Sequence, residues 1–384
     1  MKSATPSVVS MLTKLIATSS ISSIQPQHDQ GNLAVVDMLA GWLQQLDFKV
    51  EVLPVPEKPG KFNLIAVLGR GSGGLVLAGH TDTVPFDGGL WDLDPLKLVE
   101  KDQRFYGLGT CDMKGFFPLA IEAAGNFRAQ DLDRPLIVLA TADEESTMSG
   151  ARALNAAQLC HARAALIGEP TSLQPVFQHK GIMMLSIRVT GKPGHSSDPT
   201  LGNSALDAMS PVLANLLEYR SELQHRYQND SFKVPHPTVN LGCIQGGDNP
   251  NRICACVELE IDVRILPGME DVEVLQDLDC RLKSILSALD LNVCVELLHP
   301  AVPPFENQHD SDLLDTVETL TGADRSCVAF ASEAPYLQRL GMDTILLGPG
   351  SIDQAHQPNE FLELNQLQPT IDLIQHLIQK YCCR

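Results

Sequence analysis

The chain has 384 residues, 44% of them hydrophobic and 20% charged, and a formal net charge of −19 at pH 7. That length exceeds what one core usually serves, so two domains are expected, and the composition is that of an ordinary globular protein without a disorder signature. The acidity argues against nucleic acid as a partner, because binding it needs a basic footprint that replaces phosphate counterions, and it is compatible with divalent cations or cationic small substrates.

Along the chain, Val8 to Ile16 reads as a helix, followed by a longer amphipathic one from about Gly31 to Leu46, with Leu33, Val36, Leu39, Leu43 and Leu46 at helical spacing. Strands are expected at Lys49 to Leu53, Asn63 to Leu68 and Gly74 to Gly79, a helix at Gly115 to Phe127 and a strand at Pro135 to Thr141. This alternation, running to Glu169, predicts a doubly wound α/β domain.

Near Lys180 the pattern changes to period 2, with Met184, Ser186, Arg188 and Thr190 alternating against Leu185, Ile187 and Val189. A helix (about Ser204 to Gln224), strands at Thr238 to Ile244 and Ile253 to Ile265, a helix (Val272 to Leu289) and a strand (Asn292 to Leu297) follow. The order β-α-β-β-α-β is the ferredoxin-like unit, so residues 180 to 297 are read as an inserted α+β domain between the two parts of the first, 1 to 179 and 298 to 384. Helices near Asp310 to Leu320 and Gln368 to Tyr381 close the first domain.

The ten cysteines follow no framework spacing and include no C-x-x-C pair, which fits a reduced cytoplasmic protein. Cys254 and Cys256, two apart on an expected strand, are read as small core residues rather than metal ligands. Serine and threonine interrupt any apolar stretch at the N-terminus, and no run approaches the roughly 20 apolar residues of a membrane helix, so neither a signal peptide nor a membrane partner is expected.

Chemistry concentrates where short apolar runs end. Leu75 to Gly79 runs into His80-Thr81-Asp82, Leu136 to Ala140 precedes Glu144 and Glu145, Ala165 to Gly168 precedes Glu169, and Thr344 to Gly348 lies ahead of His356. In an open α/β sheet such runs are buried strands whose carboxyl ends meet at one crevice. Asp112 stands among glycines before a helix, where an N-cap is the bland alternative. His80 and Asp82 point the same way at a strand end, so the Asp82 carboxylate is expected to orient the imidazole. Of the adjacent pair Glu144 and Glu145, one is expected to bind metal and the other to act as acid/base. Two histidines and three carboxylates suit zinc, cobalt or manganese, and a pair of ions bridged by Asp112 uses all five donors. The 187 residues separating Glu169 from His356 are explained by the inserted domain.

Gly79-His80-Thr81-Asp82-Thr83-Val84-Pro85, Gly107 to Gly115, Asp143-Glu144-Glu145, Ile167-Gly168-Glu169-Pro170, Gly191 to Ser197 and Val239 to Gly242 together resemble the M20 family of metallo-aminoacylases and peptidases. The resemblance covers nearly the whole chain. It implies a zinc-peptidase-like catalytic domain with a lid that also makes a homodimer, and hydrolysis of an amide bond in a small substrate such as an N-acetylated amino acid, with succinylated amino acids and dipeptides as alternatives. It makes His80 and Glu169 ligands of one ion, Glu145 and His356 ligands of the other, Asp112 the bridge, Glu144 the acid/base and Asp82 the partner of His80. It assigns His195 to the oxyanion in a partner subunit's site, and Arg252 with Asn251 and Asn240 to the substrate carboxylate, which an arginine fork meets bidentately. Glu333, in Ser332-Glu333-Ala334-Pro335, is expected to take a side-chain ammonium. A metal-binding interaction protein without activity is the alternative of another class, and it has no need of Glu144.

Overall fold

Leu75 to Gly79 contains no polar side chain, and in the computed structural model, which describes residues 5–56, 58–307 and 310–383, it is a strand, Leu75–His80, buried at every position. Leu136–Thr141 and Ala164–Ile167 are likewise fully buried strands. Continuous apolar runs suit strands covered on both faces, which is where parallel sheets put them. Leu75–His80 pairs in parallel with both of these, and Ala164–Ile167 takes Asp343–Leu346 as a further parallel neighbour. On the other side Phe62–Leu68 joins Leu136–Thr141 antiparallel and carries Lys49–Pro54, also antiparallel, at the margin. The sheet of this α/β fold is therefore mixed, with a parallel centre and an antiparallel margin.

Among the described residues, the helices Val8–Ile16, Leu33–Gln45, Phe116–Ala124, Asp312–Thr321 and Leu367–Cys382 bury apolar faces in one core with this sheet. The second begins at Leu33 rather than Gly31 because Asn32 is spent elsewhere. Its side-chain amide donates to Thr81 Oγ1 at 2.7 Å and Phe62 O at 2.8 Å, and its carbonyl accepts from Phe62 N at 2.8 Å. The helix expected from Asp310 starts at Asp312 because Ser311 caps it, accepting from Leu314 N at 2.9 Å.

Two glycines at strand ends are fixed by close approach. A Cβ at Gly79 would lie 2.7 Å from Met113 Cε, and one at Gly168 would lie 2.2 Å from the Phe116 ring. The helix that follows Asp112 can thus press against the strand ends that precede His80 and Glu169.

The chain divides into two compact units: one runs to Phe177 and includes Asn307–Ser326 and the residues from Ser332 onward, the other comprises Gln178–Glu306 and Cys327–Ala331. The second is wider than 180 to 297 because Phe305–Glu306 pairs with Gln178 and His179, and Lys180 N bonds Val328 O. Its sheet runs Thr238–Gly246, Cys256–Ile265, Gly181–Thr190, Asn292–Leu297, all antiparallel, with a bulge at Gly242. The helices Ala205–Arg226 and Asp271–Ser287 share a core with its buried residues. The strand expected from Ile253 begins only at Cys256, since Arg252 bridges His195 and Ile253 N bonds Gly194 O. Cys254 belongs to the core, but Cys256 is exposed, which corrects its reading as a core residue. Among the described residues no helix is long and apolar enough to cross a membrane.

Candidate active site

The parallel strands deliver His80, and the loops just beyond them deliver Glu145 and Glu169, at the carboxyl edge of the sheet. His80 is buried, and its Nδ1 faces the main-chain carbonyl of Asp82 at 3.0 Å. A carbonyl only accepts, so Nδ1 carries a proton and Nε2 is turned toward the cluster. The Asp82 carboxylate, expected to make this contact, stands 3.7 Å from Nδ1; its other oxygen accepts from Glu145 N at 3.2 Å. Asp82 therefore holds His80 through its backbone and the Glu145 turn through its side chain.

Asp112 is placed by the loop between Tyr106 and the helix Phe116–Ala124. Its Oδ1 lies 3.0 Å from His80 Nε2 and its Oδ2 lies 3.6 Å from His356 Nε2. His356 Nε2 in turn meets Glu145 Oε2 at 2.9 Å. The donor atoms of His80, Asp112 and Glu145 all fall within 4.8 Å of one another. Glu169 is buried after its strand, where it feels the charges of Asp112, His80 and Glu145. Asp112 stands before a helix without capping it: the N-cap is Gly115.

The Glu144–Glu145 turn is organised by Asp143, which has φ 64, takes a hydrogen bond from Thr147 Oγ1 and another from Ser149 Oγ at 2.8 Å, and pairs with Lys58 at 3.2 Å. Burial pushes the carboxyls of Glu144 and Glu169 well above their usual range and Glu145 upward, and neighbouring carboxylates add to the effect. Burial alone would lower His80, but the Asp112 hydrogen bond and the surrounding acids raise it well above the ordinary imidazole value. Donating a hydrogen bond to the Glu145 carboxylate brings His356 up to about 9. So many acids in a poor solvent call for positive charge. Glu145 Oε1 is buried with no hydrogen-bond partner, and the donor set is imidazole and carboxylate. These residues fit a divalent cation.

Glu333 is also buried in the first unit, with Oε1 unpartnered. Burial pushes it up to about 7, and its charge reaches Glu144 and Glu169.

His195, Asn240, Asn251 and Arg252 belong to the second unit. His195 and Arg252 form an antiparallel bridge, and Ser196 N bonds Asn251 O at 3.1 Å, so three of the four are neighbours there. Ser197 N donates to His195 Nδ1 at 3.2 Å, which leaves the proton of the neutral ring on Nε2, ready to donate. Arg252 is exposed, pairs with Asp248 and lines a cleft of about 740 Å³ with Ser196, Asn203 and Asn249, large enough for a small amino-acid derivative. Asn240 lies on the edge strand opposite Asp262, exposed, and joins the sheet rather than that cleft.

Sequence reasoning assigned no role to Asp143 or Lys114, which lie inside its motifs, and passed over Glu360. The signal for Glu360 was faint: a single acid four residues beyond His356, directly before apolar Phe361 and Leu362.

A sheet edge that gathers two histidines and several carboxylates, in a chain whose residues 76–380 match the model of peptidase family M20/M25/M40, defines the class: the chain belongs to that family and is a hydrolase of it. It is 49% identical to an acetylornithine deacetylase of Vibrio vulnificus over 98% of this chain and 99% of that one. It is 47% identical to an acetylornithine deacetylase of Proteus mirabilis, over 98% and 97%. A dinuclear metal-binding M20 peptidase of Bacillus subtilis shares the fold at 16% identity, with a TM-score of 0.67 over 97% of this chain and 96% of that one.

Proposed function

We propose that this chain hydrolyses N2-acetyl-L-ornithine to L-ornithine and acetate, a step of arginine biosynthesis, with two divalent ions per subunit, zinc before cobalt or manganese. The observation that carries the chemistry is Asp112, with one carboxylate oxygen toward His80 and the other toward His356. The substrate is supported by full-length likeness to acetylornithine deacetylases.

In this reading His80 and Glu169 would hold one ion and Glu145 and His356 the other, with Asp112 shared between them. When bound, the ions lower the pKa of a water and polarise the acetyl carbonyl. Glu144 removes the proton from the attacking water and returns it to the leaving amine. Its raised carboxyl, driven by burial, suits a group that must both take and give a proton near neutrality. Arg252, with the neighbouring Asn251, holds the α-carboxylate, and the Nε2–H of His195, contributed across a homodimer formed through the second unit, meets the oxyanion. Glu333 takes the δ-ammonium. The cytoplasm is the proposed location, in keeping with ten free cysteines.

A substrate panel on metal-reconstituted protein tests this reading. kcat/KM is expected to be highest for acetylornithine; a higher value for succinyl-diaminopimelate or a dipeptide would replace the substrate while leaving the metals and base in place.

A further inference from the structure

Glu360 is a buried carboxylate spent entirely on the backbone of the loop that carries Asp112. Its Oε1 accepts from Gly109 N at 3.0 Å, Cys111 N at 2.7 Å and Asp112 N at 3.0 Å, and its Oε2 accepts from Gly109 N at 3.0 Å. Three N–H groups converge because Gly109 turns with φ +83, where a Cβ would lie 2.7 Å from Lys114 Cε. The same acid fastens its own segment: Glu360 O accepts from Gly107 N at 3.0 Å, and Phe361–Glu363 pairs antiparallel with Arg104–Tyr106. Cys111 Sγ adds a bond to Ser351 O at 3.3 Å. On the far side, buried Lys114 ties the loop to Leu15 O at 2.9 Å and Thr18 O at 3.0 Å.

Burying a carboxyl group costs roughly several kcal/mol unless it is well paired; burial pushes Glu360 up to about 8, and the three main-chain N–H groups of the loop offset part of that cost. The two ends of this clasp carry two different members of the cluster. Asp112 lies on one end, and His356, four residues before Glu360 and itself at φ 59, lies on the other. Asp112 Oδ2 and His356 Nε2 meet at 3.6 Å across these two segments.

We propose that Glu360 is a positioning residue for the two-ion centre: its carboxylate clasps the Asp112 loop to the His356 segment and so fixes the spacing that lets both residues serve the same pair of ions. This rests on the reading of Asp112 and His356 as metal ligands. A carboxylate that merely stabilised the fold would change melting and leave ion affinity alone.

Apo protein is equilibrated with buffered Zn2+, bound metal is counted by mass spectrometry, and apo-state melting is followed by circular dichroism. Wild type is expected to hold two ions per chain. Glu360→Ala is expected to weaken one of them by about ten- to a hundredfold, the usual effect of removing a group that orients ligands. Glu360→Gln, whose Oε1 can still accept all three N–H groups although its amide nitrogen would face Gly109 N in place of Oε2, is expected to recover part of that affinity. If Glu360→Ala fails to fold, Glu360→Asp, too short to reach every donor, takes its place with the same expectation. Two ions at wild-type affinity in the folded variant would overturn the clasp alone. Fewer than two ions in wild type would overturn the two-ion reading, and the clasp with it.

Discussion

Oδ1 of Asp112 lies 3.0 Å from Nε2 of His80, and since the other ring nitrogen of His80 is committed to a backbone carbonyl, this contact fixes which face of the carboxylate is left for His356. Asp112→Asn keeps the shape and removes one anionic oxygen. It is expected to lower bound metal from two ions toward one and kcat/KM by about two orders of magnitude or more. Metal counting beside steady-state kinetics checks it, and full metal content with full activity would remove Asp112 as the bridge.

Glu144→Gln separates catalysis from metal binding. Turnover is expected to fall by about 10²–10⁴-fold, the usual share of a positioned acid/base, while metal content stays at the wild-type value. Turnover within a few-fold of wild type would assign the proton transfer elsewhere.

Glu333 binds an ammonium only when ionised, and burial has pushed it up to about 7. KM for acetylornithine is therefore expected to fall as pH rises through about 7, whereas KM for acetylnorleucine, which has no side-chain charge, stays flat across the same window. Glu333→Gln is expected to abolish that difference and to cut the preference for acetylornithine by about ten- to a hundredfold, the worth of a hydrogen bond to a charged group. An unchanged preference would take Glu333 out of the account.

His179 predicts an acid limb in stability. It is buried, its ring tilted against that of Phe305, and desolvation lowers it to about 4 from 6.5. Between those values the unfolded chain binds a proton that the folded chain refuses, so stability falls as pH drops from about 6.5 to about 4, by up to roughly 3 kcal/mol. Urea midpoints at pH 7 and pH 5 should diverge more for wild type than for His179→Phe; equal slopes would assign the acid limb to other groups.

The fold class was legible because apolar runs without polar interruption leave few options. Leu75–Gly79 and Leu136–Ala140 must be covered on both faces, and the switch to alternation after Lys180 marks strands with one face open. The placement of His80 and Glu169 follows from the same logic, since a polar residue directly after such a run must stand at a sheet edge. Helix ends were less legible: Asn32 looks like ordinary helix flank, and only its bonds to Phe62 and Thr81 show why the helix starts after it. Nor does spacing distinguish the carboxylate of Asp82 from its carbonyl as the partner of His80; a shift of under an ångström decides between them.

By itself, then, the sequence determined the hydrophobic periodicities, the mixed α/β class and the residue types available at each strand end, because these depend on local order and on which surfaces must leave water. Tertiary structure alone decided that Asp112 faces two imidazoles at once and that Glu360, about 250 positions along the chain, grips the loop that holds it. Such contacts are made by groups far apart in the chain, and their directions are fixed only when the packed core leaves each backbone donor a single place to turn.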